Sequence, residues 1–79
     1  MDIIPINQLK PNQIAIVAEI RLEKSTLIKL AGMGLIVGSK IEVISKNKYT
    51  SLLALGPTRL AINKKIAEQI FVRKKTPIR

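Results

Sequence analysis

The chain has 79 residues, a formal net charge of +9, 47% hydrophobic residues and 24% charged ones. That length suits one small domain, and the apolar share suits a folded globule rather than a disordered chain. Cysteine and histidine are both absent, which excludes a disulfide scaffold and removes the ligands and bases that tight zinc sites and most nucleophilic sites need.

Taken in order, Ile3, Ile4 and Ile6 surround Pro5, and Asn7 to Leu9 is expected to form a single turn with Ile6 and Leu9 inward. Lys10-Pro11-Asn12-Gln13 is a turn signal. Ile14 to Ile20 predicts a first strand, with Ile14, Ile16, Ala18 and Ile20 on one side and Ala15, Val17 and Glu19 on the other. Both sides are apolar at the centre, so both should be covered. Arg21 to Lys24 reads as a loop, and Ser25 as the N-cap of a short helix over Thr26 to Met33. Leu27, Leu30 and Met33 recur at helical spacing in it, with Ile28 and Ala31 beside them. Gly32 weakens its last turn by about 1 kcal/mol relative to Ala.

Gly34 stands where that helix must end, and Gly38 where the chain must turn again. Lys40 to Lys46 then alternates as a second strand with Ile41 and Val43 inward. Asn47-Lys48 predicts a hairpin turn into a third strand, Thr50 to Leu55, whose apolar set is Leu52, Leu53 and Leu55. Gly56-Pro57 breaks it, and Thr58 to Ile62 follows as a fourth strand with Leu60 and Ile62 inward. Asn63 caps a helical turn, Lys64 to Glu68. Ile70 to Arg73 forms the fifth strand, with Ile70 and Val72 on one side and Phe71 on the other, and residues 74–79 form a frayed basic tail. Short strands punctuated by Gly and Pro predict a small, mainly β barrel of about five strands with one short helix and one helical turn.

The chemistry for catalysis is missing. The acids Asp2, Glu19, Glu23, Glu42 and Glu68 show no metal-ligand spacing. There is no phosphate-binding G-x-x-x-x-G-K-[ST] pattern and no histidine to activate a serine. Neither a catalytic residue, a metal ligand, a cofactor nor a small-molecule substrate is expected. No apolar run approaches the ~20 residues that span a bilayer. The start, with Asp2 and Pro5, lacks signal-peptide features. A reducing cytosol is the expected compartment.

Two surface readings remain. The +9 charge, with Lys64-Lys65 and Arg73-Lys74-Lys75, suits nucleic-acid phosphates, yet only Tyr49 and Phe71 are available for stacking. The link Leu35-Ile36-Val37 is three apolar residues between elements. Either Leu35 and Val37 are core and Ile36 is a lone surface residue, or the link is an apolar spot for a partner protein.

The chain resembles the FeoA family of ferrous iron transport proteins. The segments that carry the resemblance are Ile16 to Ile20, Leu30 to Ile44 with its Leu-x-x-Met-Gly-Leu-x-x-Gly core, Leu55 to Ile62, and Ala67 to Val72. Together they span about residues 5 to 73 of a single domain covering 1–79. The family often has Pro where Val37 stands, Gly where Asn12 stands and an acid where Gly32 stands. The resemblance implies an SH3-like β-barrel. It implies a non-enzymatic cytoplasmic accessory of ferrous iron uptake that docks on the cytosolic GTP-binding part of the membrane transporter FeoB and lies at the inner membrane face through that partner. The expected contact residues are Leu27, Leu30, Met33, Leu35, Ile36 and Val37, with Gly34, Gly38 and Gly56 as structural turns. The alternative is a small basic SH3-like barrel that binds nucleic acid. Homo-oligomer formation is left open.

Overall fold

Alternation of apolar residues builds one antiparallel sheet, and two short helices and a 3-10 turn are set into its connections. The computed structural model describes residues 3–75. The elements are β1 (Ile3–Pro5), a 3-10 turn (Ile6–Gln8), β2 (Ile14–Ile20), α1 (Lys24–Gly32), β3 (Lys40–Lys46), β4 (Thr50–Leu55), β5 (Thr58–Asn63), α2 (Lys64–Ala67) and β6 (Ile70–Lys74). The sheet order is β1-β6-β2-β3-β4-β5, with every neighbouring pair antiparallel.

The fold is mainly β, as the alternation predicts, but it has six strands rather than about five. The additional strand is β1, which pairs Ile3 with Arg73, Ile4 with Val72 and Pro5 with Phe71. A three-residue strand ending in proline carries no alternation, and proline is compatible with a sheet edge. Among the described residues β1 and β5 lie at opposite ends of the strand order and do not pair. Instead, α2 packs on β4, β5 and the 3-10 turn, and the 3-10 turn packs on β6, so the two helical pieces bridge the ends of the ladder. Bulges between Val17 and Glu19 on β2 and between Val43 and Ser45 on β3 increase the local bend and twist.

One face of this curled sheet encloses the core. Ala15, Val17, Ile41, Val43, Leu53, Leu55, Ile62, Ile70 and Val72 come from strands, and Ile6, Leu9, Leu30, Leu35 and Ala67 from the connections. Two expectations about faces change. On β2 the fully buried side is Ala15 and Val17, with Ile14, Ile16 and Ala18 half-buried on the other side, while past the bulge Ile20 pairs with Ile70 and packs against the core. On β4 the strict period of two takes Ser51, Leu53 and Leu55 inward and turns Leu52 outward to half-burial.

The ends of the elements follow local chemistry. Asn63 Oδ1 accepts the Ile66 amide at 2.8 Å, the expected cap of α2. Helix α1 instead starts at Lys24, with Glu23 at the cap position and no capping side chain, so Ser25 lies inside the helix. Leu22, just ahead of it, packs against the core and anchors the entry. At Lys10-Pro11-Asn12-Gln13 the Gln13 amide donates to the Lys10 carbonyl at 3.1 Å, and Asn12 has a φ of 73°. Proline followed by a positive-φ residue is a type II turn, and glycine would fit the Asn12 position without strain. The expected frayed tail over residues 74–79 does not hold at its first two positions. Lys74 ends β6 and the Lys75 amide donates to the Ile14 carbonyl at 2.9 Å, while residues 76–79 lie outside the described residues.

Leu52 and Leu53 are adjacent in sequence and opposite in environment. Leu53→Ala should lower the unfolding free energy by about 2–5 kcal/mol in urea titration, and Leu52→Ala by clearly less. Equal losses would contradict the assigned faces.

Candidate functional site

The chain leaving α1 is shaped by hydrogen bonds that satisfy the helix end. The Gly34 amide donates to the Ala31 carbonyl at 3.0 Å and the Leu35 amide to the Leu30 carbonyl at 2.9 Å. This pair is a Schellman closure, with Gly34 at a φ of 93° in the left-handed position. Leu30 and Leu35, which flank the closure, are both buried and pin the helix end to the core.

A second turn follows at once. The Ser39 amide donates to the Ile36 carbonyl at 3.0 Å, closing Ile36-Val37-Gly38-Ser39. Gly38 has a φ of 95° and Val37 does not have a positive φ, which makes this a type II turn. The Ser39 side chain locks it from within. Its Oγ accepts the Ile36 amide at 3.0 Å and donates to the Gly34 carbonyl at 2.8 Å. Two main-chain bonds tie the turn to β2, from the Gly38 amide to the Val17 carbonyl at 2.8 Å and from the Val17 amide to the Ser39 carbonyl at 2.9 Å.

The result separates the six expected contact residues into three groups. Leu30 and Leu35 belong to the core and present no surface to a partner. Leu27 is half-buried. Met33, Ile36 and Val37 are 47%, 51% and 59% exposed. Val37 is thus not core; as the second residue of a tight turn it points outward. Ile28, on the helix side opposite Leu30, is 62% exposed and joins the exposed apolar set. Leu30 is the buried residue of the helix, and Ile28, two positions before it, falls on the far side, away from the core it was expected to flank. Gly56, the third expected turn glycine, has a φ of 61° at the first loop position of the β4–β5 hairpin, where Leu55 pairs with Thr58.

Elsewhere the electrostatics are those of a solvated surface. Arg21 Nε lies 2.6 Å from Glu19 Oε2, and the Arg21 guanidinium sits over the Phe71 ring, 4.7 Å from its centroid. The hydrogen bond from Arg21 holds the Glu19 carboxyl below its ordinary value, and the same bond raises Arg21. The pair therefore favours the fold above the usual Glu range and loses that effect as Glu19 protonates in acid; it is fully exposed and contributes little. Among the described residues no three acidic, histidine or cysteine side chains converge. Among them, too, no helix is long and apolar enough to cross a membrane.

The family model described as the FeoA domain matches residues 4–74. In a comparison of structures, the chain is similar to a crystal structure of an iron uptake regulatory protein (FeoA), with a TM-score of 0.86 and 29% identity, covering 94% of this chain and 100% of that one. It is also similar in fold to a FeoA-like protein from Clostridium acetobutylicum (TM-score 0.82, 22% identity, covering 100% of this chain and 94% of that one). A FeoA protein from Chlorobium tepidum shares the fold as well, at a TM-score of 0.87 and 21% identity, with 92% of this chain and 71% of that one covered. No curated protein sequence matches the chain.

The turn geometry yields opposite outcomes at adjacent positions. Val37→Pro should raise stability by about 0.4–1 kcal/mol, because proline presets the second residue of a type II turn. Gly38→Ala should lower it by more than about 1 kcal/mol, because alanine resists a φ of 95°. Chemical denaturation of the two variants against the parent chain measures both, and a stabilised Gly38→Ala would contradict the turn assignment.

Proposed function

The chain belongs to the FeoA family, and from that premise we infer that it is a cytoplasmic, non-enzymatic accessory of ferrous iron uptake that docks on the cytosolic GTP-binding part of a FeoB-like transporter. Membership in the family implies involvement in ferrous iron uptake, and the FeoA domain is a small accessory domain. The docking reading rests on one observation. A loop locked by Ser39 displays Met33, Ile36 and Val37 to solvent, with Ile28 exposed on the adjoining helix.

Apolar side chains held outward on a rigid backbone suit association, because little conformational freedom is lost when a partner covers them. The net charge of +9 adds attraction to an acidic partner surface and to an anionic membrane face beside it. Charge alone would also fit nucleic acid, but an apolar loop tip contributes nothing to phosphate binding. The loop therefore favours a protein partner over a polyanion. The contact residues in this reading are Leu27, Met33, Ile36 and Val37 together with Ile28, while Leu30 and Leu35 act from inside by fixing the loop.

Co-purification with the cytosolic domain of the transporter tests the reading. Ile36→Asp and Val37→Asp should each reduce capture at least tenfold while leaving the melting temperature close to that of the parent chain, since both side chains are exposed. Capture unchanged by both substitutions would count against this surface. A parent chain that never co-purifies would count against the partner.

A further inference from the structure

At the end of β3 remote from the loop, a hollow of about 100 Å3 opens between the 3-10 turn, the β3–β4 hairpin and the start of α2. Asn7, Lys46, Lys48, Tyr49, Thr50 and Lys64 contribute to its lining. It stands apart from the loop because β3 runs from Lys40 to Lys46, roughly 20 Å at strand rise. Among the described residues the lining brings three lysines together and includes no carboxylate. Lys64 has a nearby acid, Glu68, at 4.0 Å, and both side chains are largely exposed, so the pair neutralises little. Lys46 Nζ donates to the Asn7 main-chain carbonyl at 2.9 Å, which commits one of its three hydrogens and leaves two.

The backbone here is held. Asn47 Oδ1 accepts the Tyr49 amide at 2.7 Å and the Thr50 amide at 2.9 Å, and the Lys64 amide donates to the Tyr49 carbonyl at 2.8 Å. Lys48, Tyr49 and Lys64 are therefore fixed to one another through main chain. Two features are unused by the fold. Asn7 Oδ1 is buried without a hydrogen-bond partner among the described residues, an acceptor that calls for a donor. The Tyr49 ring is 69% exposed, with Lys48 Nζ 5.9 Å from its centroid.

We propose that this hollow binds a nucleoside phosphate. Its volume accommodates a phosphate group and is well below the several hundred Å3 that enclose a whole organic ligand. The phosphate sits among Lys46, Lys48 and Lys64. The base lies outside the hollow on the exposed Tyr49 ring. Cations beside an aromatic face are the pairing that holds an unstacked nucleotide.

Amide chemical shifts of the isotope-labelled chain, titrated with adenosine monophosphate, inorganic phosphate and adenosine, test the assignment. Adenosine monophosphate should saturate shifts at Lys48, Tyr49, Thr50 and Lys64, weakening as salt rises. Phosphate should move the same amides with about tenfold lower affinity, the order of one base-stacking contact, and adenosine alone should be weaker than adenosine monophosphate. Tyr49→Ala should reduce adenosine monophosphate binding to the level of phosphate, and Lys48→Glu should abolish it, with shifts outside the hairpin unchanged. Non-saturating shifts spread evenly over the lysines would overturn the proposal, as would a Tyr49→Ala variant that binds adenosine monophosphate normally. A single-stranded oligonucleotide that binds far more tightly, with shifts extending to Lys74 and Lys75, would overturn it in favour of a nucleic-acid track.

Discussion

Everything on the α1 side of the molecule depends on the backbone of Val17. Its carbonyl receives the Gly38 amide and its amide reaches the Ser39 carbonyl, immediately ahead of the bulge in β2. Without those two bonds the segment from Met33 to Ser39 would be a free link between a helix and a strand. With them it is tied to β2 and reverses direction twice within seven residues. Each reversal needs a left-handed residue, and Gly34 and Gly38 supply it. The Ser39 hydroxyl then joins the two reversals through Ile36 and Gly34.

That local rigidity matters because the domain is small. A chain of this size buries only about 60% of its unfolded surface, so an exposed apolar loop is a cost unless something stabilises its shape. Here the stabilisation comes from Leu30 and Leu35 below and main-chain pairing alongside. Inward residues fix the loop and outward ones are displayed, and the alternation between the two over Leu30, Met33, Leu35, Ile36 and Val37 is what makes the surface. The opposite end of β3 is organised differently. There Asn47 and the Lys64 amide hold a hairpin whose exposed groups are cations and one aromatic ring. The two ends thus offer different chemistry, one apolar and one cationic.

Much of this was legible in the residues, for identifiable reasons. A positive φ penalises every residue with a Cβ, so Gly34, Gly38 and the Gly56-Pro57 pair announced their turns. Lys40 to Lys46 and Ile70 to Arg73 alternate cleanly, and the burial of Ile41, Val43, Ile70 and Val72 follows that alternation. Leu52-Leu53-Ala54-Leu55 was not resolved, because a run of apolar residues has no period and only strand pairing decides which leucine goes inward. The start of α1 is not legible at Ser25, because the packing of Leu22 on the core outranks a capping preference. The exposure of Val37 follows from its place as the second residue of a type II turn, which spacing along the chain does not reveal. Leu30 and Leu35 entered the expected contact set because helical spacing marks an apolar face without saying whether core or partner covers it.

The proposed role is one of presentation, in which a backbone-locked apolar loop meets a protein of the iron-uptake apparatus. Mapping amide chemical shifts of the chain as the transporter's cytosolic GTP-binding domain is added tests that most directly. The account predicts that the amides of Ile28, Met33, Ile36 and Val37 shift together, while those of Leu53 and Val72 in the sheet stay in place. Shifts confined to the β3–β4 hairpin, or none at the loop when the two proteins bind, would contradict it.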